Sequence, residues 1–277
     1  MKKLLISCII VVMLTSFAAF AEDLSALTLD QLTERRQQLL EKLSQVNAAI
    51  SAASLQQPEA TPATDGTLGR IIDLFPDEAF AKVIRDECAK FSIDHTVTQA
   101  DLDQITRLTI YDEEIKDFTG LRYLRNLKSF TTGQIYQGTI PAELQECRSL
   151  EYLGMEFDRG ITEIPEWVAD FERLQMLDLP GASFTALPDC VCGMLSLTHL
   201  SVGDNESLTA LPDHIGDLIN LRELSIHDTS VSVLPDSVGQ LVNLKALDIA
   251  NTPISSLPES IYALQLTSLD MSGTSIR

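Results

Sequence analysis

Asp248 and Asp270 are the two carboxylates whose spacing most directly suggests chemistry. A chain repeating at their separation of 22 residues would set them on neighbouring strands, and retaining glycosidases hold two carboxyls about 5–5.5 Å apart. Such a pair also needs a closed site that excludes water and raises one pKa, and an open surface supplies neither. His199 and His227, with Asp204 and Asp228 nearby in the chain, make a second set of metal-type ligands. No tight ligand motif joins them, so ordinary surface histidines and no metal are expected. Cys190, Cys192 and His214 would be a third set, for zinc, with free or weakly paired thiols as the default reading. Neither G-x-S-x-G, a phosphate loop, H-E-x-x-H nor a dinucleotide fingerprint occurs. No catalytic residue and no cofactor are therefore expected.

What would position any of these side chains is a repeat. Residues 211–258 read LPDHIGDLINLRELSIHDTSVSVLPDSVGQLVNLKALDIANTPISSLP and say nearly the same thing twice. Leu-Pro recurs at 211, 234 and 257, L-x-x-L-x-I begins at Leu221 and again at Leu244, and Thr229 is answered by Thr252, a period of 23 residues. A unit this short cannot bury its own apolar face and must lend it to a neighbour, which marks a solenoid. The phrase resembles the leucine-rich repeat family. Aligned on its first position it gives eight units, starting at Ile105, Leu127, Leu150, Leu174, Leu197, Leu221, Leu244 and Leu266. Ile140-Pro141, Ile164-Pro165 and Leu187-Pro188 continue the phrase upstream, and Gly138-Thr139-Ile140-Pro141 is similar to the plant-type variant.

Within each unit a short strand alternates, so that Leu224 and Ile226, or Leu247 and Ile249, face inward and their neighbours face out. The remainder, such as residues 212–218, is longer than the strand, so the stack should curve with the strands inside. The fold expected is an α/β solenoid, a curved parallel sheet on the concave face closed by an N-terminal helical cap and preceded by a separate helix. Outward residues then fall in columns. One runs Arg107, Ser129, Tyr152, Met176, His199, Glu223, Ala246, Ser268; the next Thr109, Thr131, Gly154, Asp178, Ser201, Ser225, Asp248, Asp270. The third is Tyr111, Gly133, Glu156, Pro180, Gly203, His227, Ala250, Ser272. Exposed aromatics and methionine favour binding, and the candidate face comprises Tyr152, Glu156, Phe157, Met176, Asp178, His199, Glu223, His227 and Asp248. Just after the strand, the resemblance implies an Asn or Cys that bonds neighbouring backbones. Asn205, Thr229, Thr252 and Thr274 hold that place, and Asp158 and Ala182 depart from it.

Ahead of the repeats, residues 1–21 read as a secretory signal peptide, with Lys2 and Lys3, an apolar run and Ala19-Phe20-Ala21 at its end. Residues 22–54 read as an amphipathic helix or short coiled coil with Leu32, Leu39, Leu43, Val46 and Ile50 on its stripe, and 55–66 as a linker with two prolines. Residues 67–104 form the cap, with a helix beginning near Pro76 that presents Phe80, Val83, Ile84 and Cys88, and the repeat domain occupies 105–277. Phe75-Pro76-Asp77, Val97-Thr98, Ile105-Thr106-Arg107-Leu108 and Thr119-Gly120-Leu121 resemble the cap and first repeat of bacterial internalin-like proteins. In that family the helix covers the end of the first repeat.

The formal charge of −20 argues against nucleic acid, which needs a basic footprint. The residues and the resemblance imply an exported, non-catalytic binding module for a protein partner, a host-surface protein by analogy, with glycan second. A self-assembling envelope protein, dimerising through residues 24–50 or a C-terminal end lined by Leu264, Leu266, Leu269 and Met271, is the alternative. A glycan- or metal-dependent enzyme is the third reading. No transmembrane segment is expected once the leader is removed.

Overall fold

The computed structural model describes residues 66–111, 115–133 and 139–276, all within the unit Pro62–Arg277. The signal peptide, the helix at 22–54, nearly all of the linker and Gly138 of the plant-type phrase lie outside the described residues.

The described chain opens with β1 (Thr67–Arg70), α1 (Ile71–Leu74), α2 (Glu78–Glu87), β2 (Thr96–Thr98) and α3 (Gln99–Leu102). α2 starts where the proline suggested, because the Asp77 carboxylate accepts the Phe80 amide at 3.0 Å and satisfies a free N–H of the first turn. Phe80, Ala81 and Ile84 are buried on its inner side, while Val83 and Cys88 are only half covered. α3 carries a capping box, in which Thr98 and Asp101 bond each other's backbone amides. The pairing of β1 with β2 as an antiparallel ribbon was not anticipated; it sets Gly69 against Val97.

Eight parallel strands follow in strict chain order: β3 (Arg107–Tyr111), β4 (Ser129–Gly133), β5 (Tyr152–Glu156), β6 (Met176–Asp178), β7 (His199–Ser201), β8 (Glu223–Ser225), β9 (Ala246–Asp248) and β10 (Ser268–Asp270). Each is joined to the next through a short 3-10 turn; from β4 onward these turns, such as Asp236–Gln240, start beyond the Leu-Pro or Ile-Pro phrase, where proline's missing N–H costs nothing. Leu108, Phe130, Leu153, Leu177, Leu200, Leu224 and Leu247 pair in register along the sheet. Leu224 and Leu247 are each 1% exposed, so neighbouring repeats share one continuous apolar spine.

Cap and array are joined by aromatic rings. Phe75, Phe80, Phe118 and Phe130 meet edge to face with successive centroid distances of 5.3, 5.2 and 5.6 Å. This places the helical cap over the first repeats, as the sequence suggested, because the terminal unit would otherwise present its apolar interior to water.

The ladder behind the strands differs from the expectation in two respects. Asn205 does reach the preceding repeat, donating to Leu179 O at 2.9 Å, and also to Val202 O and Gly203 O. Thr229, Thr252 and Thr274 donate only to the carbonyl three residues back, in their own repeat. At these three positions the hydroxyl turns back to its own repeat and closes a local turn, whereas Thr198 and Thr267 do donate across repeats, to Gln175 O at 3.0 Å and Lys245 O at 3.1 Å. Asp158, which departs from the Asn or Cys pattern, is 1% exposed and accepts the Gly160 amide two residues ahead, whereas the threonines donate to a carbonyl three residues back.

Candidate functional site

The columns read from the sequence are present in the sheet. Tyr152, Met176, His199 and Glu223 succeed one another in β5 to β8, and Asp178 and Asp248 belong to the adjacent column. Glu156 ends β5 opposite Gly133. His227 lies two residues past β8, where backbone bonds continue from Gly181 N to Gly203 O and from Asp204 N to His227 O.

Several of these residues are brought into contact. Tyr152 Oη donates to Asp178 Oδ2 at 3.3 Å, and Tyr111 Oη to Glu156 Oε1 at 3.4 Å. His199 Nε2 is 3.4 Å from Glu223 Oε1, and Ser225 Oγ donates to Asp248 Oδ2 at 3.3 Å. Tyr111 belongs to the same patch, although only its column was assigned from sequence. Met176 and Phe157 are exposed beside them. Burial first, and then the Asp178 carboxylate, pushes the Tyr152 phenol up to about 12; burial and Glu156 push Tyr111 in the same direction. Both hydroxyls therefore keep their protons and act as donors at neutral pH.

Glycines seat the rings. A Cβ at Gly133 would collide with the Tyr111 ring, at Gly154 with the Tyr152 hydroxyl end, at Gly181 with Phe157 and at Gly203 with the imidazole of His227. Four rings thus lie directly on backbone that only glycine leaves bare. Gly154→Ala should lift Tyr152 off the sheet and away from Asp178. Its phenol should then titrate nearer the ordinary 10 than about 12, in an ultraviolet titration of tyrosinate. The sign follows from linkage: a phenol whose pKa is raised on folding contributes stability below pH 10 that disappears as pH climbs through about 12. The variant should lose part of that alkaline decline.

A second pattern was not visible in the sequence. From β5 to β10 the residue following the strand's outward run is left-handed: Phe157, Gly181, Asp204, Asp228, Asn251 and Gly273 have φ between 53° and 72°. Gly, Asn and Asp tolerate this conformation, whereas a phenylalanine there costs on the order of 1–3 kcal/mol. The signal that would have found it is the recurrence of Gly, Asp and Asn at that one place in the period.

The sets with catalytic or metal-type residues fare differently. Asp248 and Asp270 are indeed paired across β9 and β10, yet the Ser272 amide holds Asp270 below the usual carboxylate range, the opposite of what a general acid needs. Among the described residues, Asp204, His227 and Asp228 gather ligand atoms within 4.8 Å of one another. His227 Nδ1 is engaged by Asp228 Oδ2 at 3.1 Å, and Asn251 donates to the same oxygen at 3.2 Å. Cys190, Cys192 and His214 do not gather in this way. Cys88, Cys147, Cys190 and Cys192 are free. Burial pushes the Cys147 thiol up to about 12, and the Cys88 and Cys192 thiols to about 11, so these remain protonated and unreactive.

Sequence comparison places the chain among known proteins. A leucine-rich repeat region model matches residues 104–227 and 211–276, and a bacterial adhesion/invasion protein N-terminal model matches 46–103. Internalin H of Listeria monocytogenes is 37% identical over 78 residues, a segment that is 28% of this chain and 12% of that protein. Among solved structures, Listeria monocytogenes InlP aligns with a TM-score of 0.65 at 21% identity, covering 74% of this chain and 60% of the other. Internalin C2 of the same species gives 0.59 at 20% identity, over 74% and 97%. The Leptospira interrogans LRR protein LIC12759 gives 0.53 at 23%, over 61% and 46%. At these identities the structural likeness speaks for the fold alone.

Proposed function

The chain belongs to the leucine-rich repeat family, and on that footing we propose that its inner sheet face binds another protein and performs no catalysis. The observation that carries this reading is one continuous open face on which Tyr111, Phe157 and Met176 are 47%, 49% and 38% exposed, while the strand leucines between the columns are covered from β5 to β9. Large apolar side chains on such a face stay half exposed outside the apolar core and suit a contact centre. Phe157 strengthens the case, because it keeps a left-handed backbone that Asn or Gly would adopt at lower cost. The cap, with its likeness to a bacterial adhesion/invasion N-terminal model, favours a surface partner. The leader-like residues 1–21 favour export to the cell surface or beyond.

The remaining members of the face, Glu156, Asp178, His199, Glu223, His227 and Asp248, would form the polar surround of the Tyr152–Phe157–Met176 centre. The full chain carrying Phe157→Asn should be as stable as the parent or more stable by up to about 1 kcal/mol. It should also recover at least tenfold less partner in a pull-down from surface extracts. Tyr262→Ser, at an 81% exposed tyrosine in a 3-10 turn away from the strands, should recover as much as the parent. Equal recovery by all three proteins would reject the inner face as the contact.

A further inference from the structure

We propose that the patch formed by Tyr111, Tyr152, Glu156 and Asp178 receives a lysine or arginine side chain of the partner protein, an inference that rests on the inner face being the recognition surface. Glu156 and Asp178 lie on adjacent strands, and each takes its only hydrogen bond shown here from a tyrosine, at 3.4 and 3.3 Å. No lysine or arginine pairs with either among the described residues, although ion pairs occur elsewhere on the surface, as between Lys128 and Glu151. A phenol O–H uses one oxygen of each carboxylate and leaves the other for an incoming donor.

The floor of the patch suits a cation as well. The Tyr111 ring occupies the space above Gly133 and is about half exposed, and Tyr152 lies over Gly154. An ammonium or guanidinium placed between the carboxylates would rest against aromatic faces, where cation–π attraction adds to the ion pair. The surroundings reinforce this choice. The outward columns carry Glu156, Asp178, Glu223, Asp248 and Asp270 against a single Arg107, and Asp204 and Asp228 follow at the strand ends. A face of one sign concentrates an oppositely charged partner and speeds its approach. A neutral glycan could stack on the tyrosines but would leave two carboxylates facing only hydroxyls.

The test uses the full chain and a displayed library of random dodecapeptides as probe. Peptides selected on the parent should be enriched in Lys and Arg, and should bind the double variant Glu156→Gln, Asp178→Asn at least tenfold more weakly. Both replacements keep shape and an oxygen for the tyrosines, and an unchanged circular dichroism spectrum and melting point confirm the fold. Peptides that lose binding to Phe157→Asn yet lack basic residues, or that bind the double variant like the parent, overturn the cation inference and leave inner-face recognition standing. An empty selection, or peptides indifferent to both variants, overturns both.

Discussion

Phe80→Ala should lower stability by about 3–5 kcal/mol, the range for truncating a fully buried phenylalanine. The size follows from its place: Phe80 is 0% exposed and stands between Phe75 at 5.3 Å and Phe118 at 5.2 Å. Its removal opens a cavity and also breaks the run of rings that links α2 to Phe118 and Phe130 of the first two repeats. Unfolding should therefore begin at the cap, because a repeat that loses its lid exposes the shared spine to water. Urea denaturation followed by circular dichroism measures the loss, and hydrogen exchange locates it. Protection should fall first around Leu108 and Phe130. A midpoint within error of the parent, or exchange that starts at β8 and β9, would show that the cap contributes little.

Asn205→Ala should cost about 2–3 kcal/mol, since its amide serves three carbonyls in an interior position; Gly203 O keeps the Gly181 amide, while the loss of a donor at the other buried acceptors is expensive. The side chain is 0% exposed, and its donations to Leu179, Val202 and Gly203 are 2.9 to 3.0 Å long. Thr229→Val supplies the contrast. It removes the donation to Ile226 O inside one repeat, with a long 3.5 Å acceptance from the Val231 amide, and about 1 kcal/mol is the scale for one good bond. Urea midpoints of the two variants, measured side by side, decide the matter. Equal losses would mean that the bond across repeats adds nothing to the local one.

How much of this was legible beforehand depends on what kind of information each feature needs. The eight strands and their register follow from a period and an alternation, both properties of the chain read a few residues at a time. Leu224, Leu247 and their counterparts had to face inward together, because a shift of one residue would expose them all. The start of α2 followed from Pro76-Asp77 for the same local reason. β1 was missed because Leu68 to Leu74 carry no alternation; the strand exists only because β2 pairs with it.

The face itself was half legible. Its columns, and the exposure of Phe157 and Met176, come straight from the repeat. What each side chain touches did not, since a Tyr152–Asp178 or Tyr111–Glu156 contact joins residues 26 and 45 positions apart. The glycines were readable only as gaps in a column. Their role depends on which ring crosses them, and that is set by the neighbour's side-chain torsions.

By itself, then, the sequence determined a stacked repeat array with a defined inner face, because burying an apolar spine in units of about 23 residues admits only one phase for every strand. Only the tertiary structure decided that rings lie on glycine, that Asn205 bridges repeats while Thr229, Thr252 and Thr274 do not, and that two carboxylates face outward with tyrosines as partners. Those outcomes turn on distances between side chains from different repeats, and spacing along the chain does not encode them.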